Sequence, residues 1–305
     1  MICIIALVVF GILGIFSLRY RLLAVEAFGC VLRRIVLRPC QTGLDERARA
    51  WITGKIMKFC PFCAGFFYRR FRIFEFALAL VFVWSIVQTG VSGYNYYMYG
   101  NCNGYDASGF CVFDPAGHNA QFTGIDLSCG ASSQSEKNLS ISGVNLSIFP
   151  VLNRGDKNNV VFFIGCYECN FTKETYPKIK QLIEEHNVTV IFGHLPITPN
   201  LEVFTRYANC VYENAPEKFN EFNDFMFSIS IRGCSVNACE NALKSARLNM
   251  SSYAACANST KIVEISRRQE DELKSVGVYG TPTIFINGRA FVGPKPYRVY
   301  ERALE

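Results

Sequence analysis

Between residues 158 and 197 the chain reads NNVVFFIGCYECNFTKETYPKIKQLIEEHNVTVIFGHLPI, and few folds accommodate that order of patterns. Val160 to Ile164 is a short apolar run of β-branched and aromatic residues, the signature of a buried strand. It stops at Gly165, and Cys166-Tyr167-Glu168-Cys169 follows. Tyr176, Ile179, Leu182 and Ile183 then recur at helical spacing up to about His186, and Val188 to Phe192 forms the next strand. Strand, CxxC, helix, strand constrains both the topology and the chemistry. A thiolate is a far better nucleophile than a thiol, and unpaired N–H groups at a helix N-terminus favour negative sulfur. Cys166 is thus expected as the nucleophile. Cys169, one turn later, is expected as the resolving thiol that attacks a mixed disulfide.

A lone CxxC also suits a zinc knuckle, so the C-terminal part of the chain matters. There GVYGTPTIFINGRAFVGPKPYRVYERAL predicts strands Thr283 to Ile286 and Arg289 to Val292, joined by the hairpin dipeptide Asn287-Gly288. Lys295 to Leu304 predicts a final helix, and Thr281-Pro282 stands directly before the hairpin.

CYEC after an apolar strand, joined to GTPTIFINGRAFVG, resembles the DsbA-like branch of the thioredoxin superfamily. The resemblance covers roughly residues 158–305, including HLPITPN, ANCVYENAPEKFNEFNDFMFS and LNMSSYAACANS, which are similar to that branch's helical insertion. It implies a thioredoxin-like α/β fold over 141–305, with the insertion at about 197–262. It further implies a cis Pro282 and a Thr281 backbone that contacts an extended substrate segment. The implied activity is thiol–disulfide exchange on proteins with no cofactor required. The implied redox partner is a membrane protein of the DsbB or VKOR kind. Tyr167 and Glu168 are expected to tune the thiols. Relatives place a histidine at the second of these positions. A carboxylate there disfavours a neighbouring thiolate, so a less oxidising disulfide is expected. Reductase, isomerase and redox-inert chaperone readings of the same fold stay open.

The first part of the chain has another character. Met1 to Leu18 and Ile73 to Val91 are apolar runs without a polar face, each close to the length of a bilayer core. They predict two transmembrane helices, at about 1–18 and 73–91, within an anchor over 1–91; a cleaved signal peptide is the rival reading of the first. The loop 19–72 holds twelve Lys/Arg against three Asp/Glu, which places it on the cytoplasmic side. The catalytic domain is then extracytoplasmic, at the cell membrane and in contact with lipid, and the basic block is not a nucleic-acid arm. Triplets of the N-x-S/T type at Asn138, Asn145, Asn170, Asn187, Asn249 and Asn258 follow the second run, but the region is rich in Asn and they weigh little.

Residues 92–140 read as a spacer and linker, dense in Gly, Asn, Ser and Tyr. Beyond the CxxC, eleven of the other twelve cysteines fall into two groups. Structural disulfides are expected for Cys102–Cys111, Cys210–Cys256 and Cys234–Cys239, which leaves Cys129 free. In the basic loop Cys30, Cys40, Cys60 and Cys63 match the donor type and number of a structural zinc site. Buried thiols and a transmembrane relay are the alternatives for that set.

Overall fold

A computed structural model describes residues 61–105, 109–121, 123–124, 139–229 and 236–305, with short stretches between 21 and 58. The chain divides into two compact units, Met1–Val91 and Ser92–Glu305.

In the first unit, helix α1 spans Pro61–Arg69, and α2, Phe71–Tyr99, runs on into the second unit. The 29 residues of α2 correspond to about 43 Å of helix. Leu80, Val81, Val83, Trp84, Ile86 and Val87 are all exposed on it. Among the described residues no helix is long and apolar enough to cross a membrane; part of the first half of α2 lies outside that description. The expected helix at 1–18 lies outside the described residues, as do Cys30, Cys40, Cys60, Cys129 and the side chain of Cys63.

The second unit is built on a five-stranded sheet in the order β2-β4-β3-β6-β7, with β2 Val151–Asn153, β3 Asp156–Gly165, β4 Val188–His194, β6 Thr283–Ile286 and β7 Arg289–Val292. Strands β3 and β4 are parallel, joined by the crossover helix α3, Asn170–Glu185. The β6–β7 hairpin is antiparallel and turns at Asn287 and Gly288, both with positive φ, as its sequence predicts. Central strand β3 is buried on both faces. Val161 and Phe163 enter one core cluster, and Phe162 and Ile164 enter the other. That is why its apolar run is continuous rather than alternating.

Between β4 and the end of the sheet lies the helical insertion: α4 Glu202–Asn214, α5 Phe219–Ser228, α6 Val236–Ser245 and α7 Met250–Ala257, followed by α8 Thr260–Ser275. Cys210 on α4 is bonded to Cys256 on α7, and Cys102 to Cys111 in the spacer, as expected. The third expected bridge is not formed. Cys239 carries a free, buried thiol, and Cys234 lies outside the described residues. The reason is helical periodicity: Cys239, Ala242, Leu243 and Ala246 make one buried stripe, which turns the sulfur into the core. The final helix α9, Tyr297–Arg302, is shorter than its sequence predicts, because the chain enters it only at the cap Pro296.

The spacer is less separate than expected. Tyr105 packs against the main core, and its hydroxyl donates to the Ala290 carbonyl on β7. A two-residue strand, β1 Thr123–Gly124, pairs antiparallel with β5, Gly280–Thr281.

Candidate active site

Strand β3 delivers Cys166 and α3 holds Cys169. Gly165, the last residue of β3, precedes Cys166 at a point that leaves no room for a side chain. A Cβ at this position would lie 2.4 Å from Thr172 Cγ2. The turn is closed by the Cys169 N–H donating to the Cys166 carbonyl at 3.1 Å, and the Cys166 N–H reaches Thr172 Oγ1 at 3.4 Å. From the other side comes the segment before the hairpin. The Thr281-Pro282 peptide is cis, as the resemblance implies. Cys169 Sγ lies 3.3 Å from the Thr281 carbonyl oxygen and 3.0 Å from Thr123 Oγ1. The fold thus brings the CxxC turn, through Cys169, to the Thr281–Pro282 turn more than a hundred residues away in sequence.

Both thiols are free, and both are enclosed, with Cys166 0 % and Cys169 2 % exposed. Their charge balance differs from the sequence expectation. The helix begins only at Asn170, so Cys169, not Cys166, is its N-cap residue. Burial pushes the Cys166 thiol up to about 12, against weaker lowering by nearby backbone N–H groups. Burial also acts on Cys169, but hydrogen bonding from the Thr123 and Thr172 side chains leads a set of contacts that outweighs it and leaves this thiol below its ordinary value. At rest, therefore, the sulfur that bears negative charge more readily is Cys169.

Tyr167 is fully buried and directed at the insertion. Its hydroxyl bonds Asn223 Oδ1, and its ring stacks on His194 at 4.6 Å between centroids. Phe227 lies 4.8 Å away. It acts as a wedge that joins the CxxC turn to α5. Glu168 is half-buried beside it.

Three residues of the site escape the sequence reading. Thr172 and Thr123 hydrogen-bond the thiol pair, and nothing in their local sequence marks them. His194 has a readable signal in its register, since Gly165 pairs with His194 across β3 and β4. Its Nδ1 is 2.6 Å from Thr205 Oγ1, while Nε2 is buried without a partner among the described residues. Burial pushes its pKa down to about 3, so the ring is neutral.

Chemically, two adjacent thiols beside the backbone edge Gly280–Thr281 can exchange with a disulfide presented on an extended segment. No curated protein matches the chain. Among solved structures it is similar to the thiol-disulfide exchange protein alpha-DsbA2 from Wolbachia pipientis, with 22% identity over 51% of this chain and 85% of that one, TM-score 0.47. It is also similar to BdbD from Bacillus subtilis, with 18% identity over 53% and 95%, TM-score 0.45. A third is a thioredoxin-like oxidoreductase from Silicibacter pomeroyi, with 13% identity over 52% and 90%, TM-score 0.47. Residues 158–305 match the family described as Thioredoxin. That match takes in both members of the Cys166–Cys169 pair and the Thr281–Pro282 turn.

Proposed function

We propose that this chain is a membrane-anchored, DsbA-like thiol–disulfide oxidoreductase that acts on extracytoplasmic proteins through Cys166 and Cys169. The observation that carries it is the free Cys166–Cys169 pair, with Cys169 held against the Thr281 carbonyl that precedes the cis Pro282. In the reductive direction one thiolate attacks a client disulfide and displaces a client thiolate. The second thiol loses its proton, attacks the mixed disulfide, and releases the other client sulfur. The pair ends oxidised and the client reduced by two electrons. The oxidative direction is the reverse, and a membrane partner of the DsbB or VKOR kind would then reoxidise the pair.

The high Cys166 pKa and the Glu168 carboxylate both favour a weak oxidant, because stabilising the thiolate is what makes such a disulfide strongly oxidising. Equilibration of the purified chain in glutathione or dithiothreitol redox buffers is expected to give one reversible two-electron transition. Its potential should lie well below the roughly −120 mV of a strong oxidant. A pair that never oxidises, with Cys102–Cys111 and Cys210–Cys256 intact, would defeat the proposal.

Anchoring is supported by the Ile73–Val91 run, which holds one charged residue, Glu75, and by the arginines before it. Apolar side chains exposed around a helix are costly in water and favourable in lipid. Alkaline carbonate washing is expected to leave the chain in the membrane pellet. Release into the supernatant would refute anchoring.

A further inference from the structure

Thr123 occupies an unusual place for a spacer residue. It pairs with Thr281, the residue directly before Pro282, while Gly124 pairs with Gly280 in antiparallel register. An incoming extended segment would need the same backbone edge. The Thr123 hydroxyl also lies 3.0 Å from Cys169 Sγ, within reach of a reacting sulfur.

The rest of the spacer holds this segment in position. Cys102–Cys111 closes its first loop. The Tyr105 ring packs 5.6 Å from Phe291, with the Arg289 guanidinium 4.2 Å above it. The Asp114 carboxylate accepts the backbone N–H groups of His118 and Asn119. Lys295 Nζ donates to the Asn119 carbonyl at 2.5 Å. Contacts therefore run from β7 to the β1–β5 pair beside the thiols, and both thiols are enclosed.

The geometry points to Thr123–Gly124 as a built-in occupant of the client-binding edge, which a client must displace before it reaches Cys166 and Cys169. The client class follows from the register: an extended segment that pairs antiparallel with Gly280–Thr281 and carries its cysteine where Thr123 now stands. This inference rests on the oxidoreductase reading for the word client. The occupancy itself does not depend on it. The high pKa of Cys166 fits a site shut off from solvent.

Access is measured on the full reduced chain by timed labelling with iodoacetamide under native conditions, followed by mass spectrometry of each cysteine. Thr123→Pro removes the hydroxyl and one backbone donor. It is expected to speed labelling of the Cys166–Cys169 pair about tenfold, the effect of losing one or two hydrogen bonds on a local opening equilibrium. Cys239, a free thiol enclosed in the insertion, is the internal control and should stay unlabelled.

Thr123→Cys is the second variant, for the case in which the first also exposes Cys239. With oxidised glutathione, the introduced sulfur and Cys169 are expected to form one disulfide. They give up two electrons and two protons, which yield two reduced glutathiones. Unchanged labelling in a Thr123→Pro chain that keeps Cys239 protected, or no bond from position 123 to the site, overturns the inference. Faster labelling in a chain that exchanges no disulfide would uphold the occupant and sink the oxidoreductase reading instead.

Discussion

Replacing Cys166 by serine is expected to lower turnover of a peptide disulfide by at least about a thousandfold, because the cycle needs two sulfurs and an alcohol substitutes for neither. Cys169→Ser should lose turnover to a similar extent for a different reason. It can be captured as a mixed disulfide but lacks the thiol that resolves it. The family order implies capture by Cys166, and its environment then predicts a steep pH profile. A thiol with a pKa of about 12 is ionised to only about one part in ten thousand at pH 8. Raising the pH ionises it, so capture by Cys169→Ser should climb about tenfold per pH unit between pH 8 and 11. The measurement is the rate of mixed-disulfide formation with a model peptide. A stable mixed disulfide on Cys166→Ser instead, with a profile that levels off at lower pH than the Cys166 profile, would make Cys169 the attacker. That is the assignment the resting charge balance favours.

The second large effect concerns stability. Cys210 and Cys256 are 46 residues apart and tie α4 to α7. Closing a loop of that length restricts the unfolded chain by about 4 kcal/mol in the chain-entropy treatment. Replacing both with alanine, which leaves no odd thiol, should lower the unfolding free energy by about that amount. Equilibrium denaturation of the two proteins checks it, and a loss below about 1 kcal/mol would contradict the estimate. The effect should reach the active site. Phe204 on α4, Asn223 and Phe227 on α5, and Tyr167 of the CxxC turn share one packed cluster. Loosening the insertion therefore unseats the turn.

The legible parts of this fold are the ones set by short-range chemistry. Asn287-Gly288 fixed the hairpin because both residues tolerate positive φ. The run through Phe162 and Phe163 fixed the central strand because both of its faces are buried. The CxxC and Thr281–Pro282 were joined in advance only by the family resemblance, since nothing local links positions so far apart. Register was the main thing hidden. A two-residue strand at Thr123 has no periodicity to read, and its existence depends entirely on β5. The helix start was misplaced by one turn because Cys166 precedes the first helical residue, Asn170. That shift moved the capping role from one sulfur to the other. For Cys239 the information lies in the sequence itself. Its spacing to Ala242, Leu243 and Ala246 already placed it on an inward stripe rather than in a bridge.

The pairing of Thr123 with Thr281 sets a threshold as well as a barrier. A tethered competitor acts at an effective concentration on the order of millimolar, well above that of most free polypeptides. Weak or fleeting partners lose that contest. Only a chain that offers a longer run of backbone pairing, or one already delivered close by, wins the edge. Selection among targets would then be decided by how they pair, before any sulfur chemistry begins.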